Sequence, residues 1–203
     1  MNHEYDEDYF ERGVEKHISG YTDYKWKPEY VLPMANWLKQ KFGDVSFLDY
    51  GCAKGFLVKA LRMLSCDAYG YDISEYAIEN SEKEVKAFVG TDLKQYECGV
   101  IIAKDVLEHV PKDEMQETLQ SFNSVYADSV IAIIPLGDDG KFRIREYEMD
   151  VTHVTKEDEV WWTNEFNKAG FVVDEFYYSL PGVKENWTVK YPFGNGIFIL
   201  RKA

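Results

Sequence analysis

The sequence predicts an α/β protein built on a doubly wound, Rossmann-like sheet of seven strands, mostly parallel, with an antiparallel hairpin at its C-terminal end. Two observations support this prediction. Strand-like apolar runs alternate with segments of helical periodicity between residues 46 and 134. In addition, the run Phe47–Tyr50 breaks into a small-residue turn, Gly51–Gly55, and a helical pattern follows. The next strand-like run ends in Asp72, which completes a strand, a turn, a helix and a strand tipped by a carboxylate.

The strands are placed by β-rich apolar runs that are bounded by polar or turn-forming residues. They are predicted at residues 46–50, 68–71, 86–89, 99–103, 129–134, 171–179 and 195–201. Because the last two strands are joined through Pro181–Asn195, without a helix of crossover length, they are expected to pair as an antiparallel hairpin.

The helices are placed by their periodicity and by their start and stop signals. A helical spacing of apolar residues begins at Pro28 and stops at Gly43. Pro111 is expected to begin a later helix, and Thr155 is expected to cap another, which ends at Gly170. The apolar faces of these two later helices are predicted to be Met115, Leu119, Phe122 and Val125, and Val160, Trp162, Phe166 and Ala169.

Composition limits the classes of function. A chain of 203 residues suits one domain, and its formal net charge of −13 disfavours a phosphate backbone as partner. The three cysteines have no CxxC spacing, which is typical of a reducing compartment, and no apolar run approaches the roughly 18 residues of a membrane span. We therefore expect a cytoplasmic protein without a membrane partner, while its oligomeric state stays open.

The small-residue turn was compared with the dinucleotide fingerprint G-x-G-x-x-G, in which a pyrophosphate approaches the start of a helix. Counting from Gly51, the later glycine positions hold Ala53 and Phe56, and Phe56 is too large for that close packing. A sulfonium cofactor carries an amino-acid tail and an adenosine without phosphate, so a carboxylate such as Asp49 is tolerated beside the turn. Asp49 either braces the turn or bonds the ligand's ammonium group.

Five segments share their residues and their order with a known family. They are Asp49–Gly55, Asp72, Thr91–Leu93, Asp105–Val110 and Asp150–Phe171. Together they resemble the class I S-adenosylmethionine-dependent methyltransferases of the small-molecule type, over about residues 29–202. The resemblance implies methyl transfer, S-adenosylmethionine as the cofactor, and a single methyltransferase domain over residues 1–203. In that domain residues 1–28 form an N-terminal lid and residues 29–203 form the catalytic core.

The resemblance also assigns roles at the cofactor, one residue at a time. It places Asp72 at the ribose diol, Ile73 against the adenine, Asp92 at the adenine amine and Leu93 on the ring. The methionine end is lined by Asp49, Gly51, Cys52, Ala53, Gly55, Lys104 and Asp105. Ala53 departs from the glycine that is usual in the family. Tyr21 and Tyr24 lie in a segment that resembles N-terminal lids folding over the cofactor.

Methyl transfer from a sulfonium is an in-line displacement, and a hydroxyl acceptor needs a base to take its proton. His109 and His153 stand where the resemblance places the acceptor, and each is predicted either as that base or as an orienting hydrogen-bond group. The preferred acceptor is a small polar metabolite, a sugar derivative above all, methylated on oxygen. No ligand spacing is diagnostic of a metal, although Asp105, Asp138 and Asp139 offer hard oxygen ligands; the sequence therefore predicts no metal.

Two alternatives stay open at this point. One is a binding or regulatory module that keeps the fold and the cofactor without chemistry. The other is a nicotinamide-dependent oxidoreductase.

Overall fold

A seven-stranded sheet forms the centre of the computed structural model, which describes residues 5–93, 97–125 and 127–203. Its order is β3-β2-β1-β4-β5-β9-β8. The strands are β1 Phe47–Tyr50, β2 Ala68–Tyr71, β3 Val89–Gly90, β4 Val100–Lys104, β5 Ser129–Pro135, β8 Phe171–Tyr177 and β9 Asn195–Lys202. A separate two-stranded ribbon consists of β6 Gly137–Asp138 and β7 Lys141–Phe142.

The pairing confirms the predicted fold class. Strands β1 to β5 are parallel, whereas β9 lies between β5 and β8 and is antiparallel to both. The strand order reverses at β1, since β2 lies on one side of it and β4 on the other. In open α/β sheets the carboxyl ends of the strands at such a reversal bound a ligand crevice. The candidate site is therefore expected just beyond Tyr50 and Lys104.

Helices cover both faces of the sheet. They are α1 Glu7–Glu11, α2 Gly13–Lys16, α3 Pro28–Phe42, α4 Phe56–Met63, α5 Glu75–Glu79, α6 Met115–Ser121, α7 Glu159–Lys168 and α8 Glu185–Thr188. On one face α3 and α4 pack Leu38 and Leu61 against the sheet, and on the other α6 and α7 pack Leu119 and Trp162. All four side chains are fully buried, which stabilises each by roughly 1.5–3 kcal/mol over an exposed position.

Four predictions about local structure are wrong in detail. The third strand is only Val89–Gly90, because Lys86–Phe88 form a 3-10 turn before it. Helix α6 begins at Met115 and not at Pro111. The N-cap of α7 is Asp158, whose carboxylate accepts the Trp161 amide at 2.7 Å, while the Thr155 hydroxyl donates to the Val110 carbonyl at 2.7 Å. Finally, Val160 on α7 is exposed.

Helix α3, with 15 residues, is the longest of these helices. Across the part of the chain that the structure describes, no helix is both long enough and apolar enough to cross a lipid bilayer.

Candidate active site

A cleft of about 1410 Å³ opens at the carboxyl ends of β1 and β4. Its walls come from the N-terminal segment (residues 5–27), the glycine turn (Gly51–Gly55) after β1, and the loops that follow β4, β5 and β8. The strand-order reversal therefore accounts for the position of this cleft, which lies where the crevice was expected.

The glycine turn is held by backbone hydrogen bonds and by unusual dihedral angles. The amides of Gly51 and Cys52 both donate to the Tyr71 carbonyl, at 2.7 and 3.0 Å, which ties the turn to the end of β2. Gly51 has φ +79°, and a Cβ there would overlap the side chain of Val106. Ala53 also lies in the left-handed region, at φ +48°, a conformation that favours glycine.

Asp72 joins the glycine turn to the next helix. One carboxylate oxygen accepts the Ala53 amide at 2.7 Å, and the other accepts the Ser74 amide at 2.8 Å. The N-cap of α5 is Ser74, whose hydroxyl accepts the Ala77 amide at 3.0 Å, so Asp72 is not the helix cap. Burial raises the pKa of Asp72, and the two amide bonds lower it in part. Its oxygens keep further lone pairs, and the residue lines the cleft.

Asp49 lies on β1 with Gly70 and Ile102 as its neighbours on the adjacent strands. It is buried, with 6% of its surface exposed, and it lines the cleft. Burial raises its pKa to about 7, and Asp72 adds to this effect, while Lys104 opposes it. A carboxyl group with this pKa is ready to ionise when a cationic group binds beside it.

Cys52 also lines the cleft, but burial raises the pKa of its thiol, so the thiolate form is disfavoured. This agrees with a lining role and gives no support to a nucleophilic one.

Lys104 ends β4 and Asp105 follows it, and both form a charged cluster with a residue that the sequence did not indicate. The side chain of Lys184 is only 7% exposed, and its ammonium group contacts the Asp105 carboxylate at 2.5 Å and the Asn195 amide oxygen at 2.8 Å. Although burial alone would raise the pKa of Asp105, Lys104 and Lys184 hold it well below its usual value. No local motif marks Lys184, since it reaches the cleft from a loop 79 residues further along the chain.

The structure brings the two predicted histidines together. The ring centroids of His109 and His153, here called the imidazole pair, lie 4.5 Å apart. His153 Nδ1 lies 2.8 Å from the Tyr147 carbonyl oxygen, so this nitrogen carries the proton. His109 Nδ1 lies 2.8 Å from the Thr152 hydroxyl, whose own proton goes to Asp150 at 2.5 Å; Nδ1 of His109 is therefore also protonated. In the neutral tautomers that these contacts select, both Nε2 atoms keep a lone pair, and Nε2 of His153 lies 3.9 Å from the Asp150 carboxylate.

The surroundings of the imidazole pair affect its charge. Burial and the neighbouring His153 lower the pKa of His109 to about 4, so this ring is neutral near pH 7. Beside it lies Glu108, which is completely buried and lines the same cleft. Burial raises the pKa of Glu108 well above its usual value, and Asp105 raises it further. Sequence reasoning named the histidines but missed Glu108, because a Glu after a strand reads as an ordinary surface residue.

The N-terminal segment forms one wall of the cleft, and Tyr21 and Tyr24 line it. These rings contact each other edge to face, with centroids 4.8 Å apart, and Tyr24 stacks on Phe56 at 5.2 Å. The segment is fastened to the far side by the Tyr9 hydroxyl, which donates to Asp150 at 2.9 Å.

The three residues that were predicted to contact the adenine lie in different surroundings. Ile73 is half exposed and lines the cleft. Leu93 lines a smaller neighbouring cavity of about 310 Å³ together with Tyr50 and Tyr71. Asp92 is exposed and does not line the cleft, and residues 94–96 beyond it lie outside the described part of the chain.

Comparison with known proteins decides the family. Residues 21–175, more than three quarters of the chain, match a family model described as a methyltransferase domain. The chain belongs to this methyltransferase-domain family. The methyltransferase predicted from the sequence is thereby confirmed, and the nicotinamide-dependent oxidoreductase is set aside. A search of curated proteins found no match.

Solved structures of other methyltransferases share the fold. One is the 1,6-didemethyltoxoflavin-N1-methyltransferase of Burkholderia thailandensis, bound to S-adenosylhomocysteine (TM-score 0.62, 13% identity, covering 86% of this chain and 79% of that one). Another is the magnesium protoporphyrin IX methyltransferase of Synechocystis PCC 6803, also with S-adenosylhomocysteine (TM-score 0.62, 18% identity, covering 85% of this chain and 82% of that one). A third is the mitomycin 7-O-methyltransferase MmcR (TM-score 0.63, 14% identity, covering 85% of this chain and 54% of that one). At these identities the likeness establishes the fold alone.

Proposed function

We propose that this methyltransferase transfers the methyl group of S-adenosylmethionine to a hydroxyl group of a small polar metabolite, such as a sugar derivative. The observation that carries the proposal is the imidazole pair, whose two free Nε2 lone pairs belong to residues lining the same cleft as the glycine turn. An alcohol holds its proton strongly near pH 7, so its methylation needs a proton-accepting group, such as an imidazole nitrogen, within reach. The fold neighbour MmcR, an O-methyltransferase, is consistent with an oxygen acceptor.

The cofactor is S-adenosylmethionine. Its methionine end and its ribose each suit one of two buried carboxylates, those of Asp49 and Asp72. We assign the Asp49 carboxylate to the ammonium group of the methionine end, beside Gly51, Cys52, Ala53 and Gly55. We assign the remaining lone pairs of Asp72 to the ribose hydroxyls, with the adenine toward Ile73, Asp92 and Leu93. Lys104 and Asp105 lie beside the methionine end.

The protein orients the acceptor, shields the sulfonium from water and assists the deprotonation of the acceptor hydroxyl. Tyr21 and Tyr24, in the proposed lid of residues 1–28, exclude water from the sulfonium. The acceptor oxygen is held beside the imidazole pair, which assists the departure of its proton; in the simplest form one imidazole acts as general base. The oxygen then attacks the methyl carbon while the carbon–sulfur bond breaks, and the electron pair stays on sulfur.

The remaining expectations follow the same proposal. The acceptor is a small molecule, because the net charge of −13 disfavours a phosphate backbone. The three cysteines are free and buried, as suits a reducing compartment, and we place the enzyme in the cytoplasm.

The test uses S-adenosylmethionine with a labelled methyl group and a panel of sugars and phenols. We expect label on a hydroxyl oxygen of at least one acceptor, and roughly 100-fold slower transfer in His109→Ala and His153→Ala. Calorimetry should find S-adenosylhomocysteine affinity preserved in both variants, and His17→Asn, a change at an exposed histidine outside the cleft, is the control. Absence of label from every component of a cell extract would favour the non-catalytic binding module instead.

A further inference from the structure

Glu108 has no hydrogen-bond partner for either carboxylate oxygen among the residues that the structure describes, although it is completely buried. Two other buried carboxylates have hydrogen-bond partners. Asp72 accepts two amides, and Glu165 is bonded by Gln116 and Lys168. An unpaired carboxylate costs several kcal/mol to bury, so its retention beside a cleft calls for a proton or a cation. Glu108 is among the residues that line the cleft, so such a cation would approach it from that side.

Two further ligand atoms lie close to Glu108. One atom each from Glu108, His109 and His153 can be chosen so that all lie within 4.8 Å of one another. The amides of Val154 and Thr155 donate to the Glu108 carbonyl at 2.9 and 3.0 Å, so the main chain fastens the His153 loop to the segment that carries the other two groups. The three donors therefore come from two backbone segments in fixed register.

The hydrogen bonds behind the imidazole pair are those of metal-ligating histidines. Such a histidine commonly donates one ring N–H to a carbonyl, a carboxylate or water, which orients the other nitrogen and raises its basicity. His153 donates Nδ1–H to the Tyr147 carbonyl, and His109 donates Nδ1–H to Thr152, which is itself bonded to Asp150. In both rings Nε2 is the atom left for a ligand.

We propose that Glu108, His109 and His153 bind one divalent transition-metal ion. Two imidazoles and one carboxylate form a donor set suited to Zn²⁺, Mn²⁺, Fe²⁺ or Co²⁺, whereas Mg²⁺ and Ca²⁺ prefer oxygen ligands throughout. Three protein ligands leave a coordination position open for a water molecule or a substrate oxygen. The inference departs from the prediction, made from spacing alone, that the protein holds no metal.

The chemistry of this site rests on the proposed function. A hydroxyl group of the acceptor bound at the open position would be oriented toward the methyl donor, and its pKa would fall. Its proton leaves to water, the oxygen forms the new bond to the methyl carbon, and the carbon–sulfur bond breaks with its electron pair retained on sulfur. The imidazole pair then assists the hydroxyl through the ion that it holds, in place of taking up the proton itself.

The experiment measures metal binding directly. The full chain is stripped with a chelator and titrated by calorimetry with Zn²⁺ and Mn²⁺, and the visible absorption of a Co²⁺ complex reports nitrogen ligands. We expect one ion per chain, at least tenfold weaker binding in Glu108→Gln and His153→Ala, and about tenfold weaker binding in Thr152→Val, which removes only the support of His109. The matched controls are His17→Asn and Glu84→Gln, two substitutions at exposed residues, which should leave the affinity for the metal ion unchanged.

Two results would overturn the inference. One is a stripped protein that binds these ions no more tightly than the His109→Ala/His153→Ala double variant, with S-adenosylhomocysteine affinity showing that both are folded. The other is a stripped enzyme that methylates its hydroxyl acceptor at the full rate, which leaves the proposed function intact. Conversely, tight metal binding without methyl transfer to any hydroxyl acceptor would support the site and refute the proposed function.

Discussion

The two ends of the cleft are built in different ways. At the proposed cofactor end, a contiguous stretch from Asp49 to Ser74 supplies a turn, and the backbone amides of Gly51, Cys52 and Ala53 fix its shape. At the proposed acceptor end, side chains from the loops after β4, β5 and β8 meet one another.

This difference shows which part of the enzyme tolerates change. A turn held by amides and left-handed dihedral angles depends on small residues. Its sequence pattern is therefore easy to recognise and few substitutions fit it. A network of side chains from distant loops can be rebuilt residue by residue, and acceptor specificity is expected to vary there while the cofactor end stays fixed.

The largest expected effect is at the acceptor end. Lys184→Met keeps the length of the side chain but removes the buried ammonium group that Asp105 and Asn195 share, so that Asp105 keeps only Lys104 and Asn195 keeps the Tyr147 hydroxyl. We expect the free energy of unfolding to fall by about 1–3 kcal/mol in urea denaturation. The control Lys190→Met removes an exposed ammonium group that bonds Glu146 and should change nothing measurable. Equal effects in both variants would mean that Lys184 does not hold the loops together.

At the cofactor end, Asp72→Ala removes the carboxylate that accepts the amides of Ala53 and Ser74. Because the ribose contact and the shape of the turn are lost together, S-adenosylhomocysteine should bind at least tenfold more weakly by calorimetry. Asp67→Ala, at an exposed carboxylate just before β2, is the matched control. Unchanged affinity in Asp72→Ala would remove the ribose role.

The smallest effect concerns pH. Asp49 has a pKa near 7 in the free protein, so a ligand ammonium group must bind its ionised form. The affinity for S-adenosylhomocysteine should therefore rise by up to about tenfold between roughly pH 6 and pH 8, and Asp49→Asn should flatten this dependence. Because the folded-state pKa is raised, the contribution of Asp49 to the stability of the free protein is full below about pH 4 and is lost as pH rises through 7. If the affinity of the wild type for S-adenosylhomocysteine did not depend on pH, Asp49 would not be the group that binds the ammonium group.

Local sequence predicted the elements better than their ends. The strand at 68–71 and the helix from Pro28 are confirmed to within a residue, because apolar periodicity and end signals are local. The cap of α7 was misplaced, because Thr155 and Asp158 are both good capping residues and only the fold directs the Thr155 hydroxyl to Val110.

The sequence by itself determined the strand–turn–helix unit, the acid that follows β2 and hence the proposed methyl-donor end of the cleft, since all of these depend on residues within one short stretch of chain. Only the tertiary structure decided that His109 and His153 lie side by side, that Glu108 is buried beside them without a hydrogen-bond partner among the described residues, and that Lys184 reaches Asp105. The physical reason is that these contacts join loops far apart in sequence, and their distances are set by how the sheet and its helices pack.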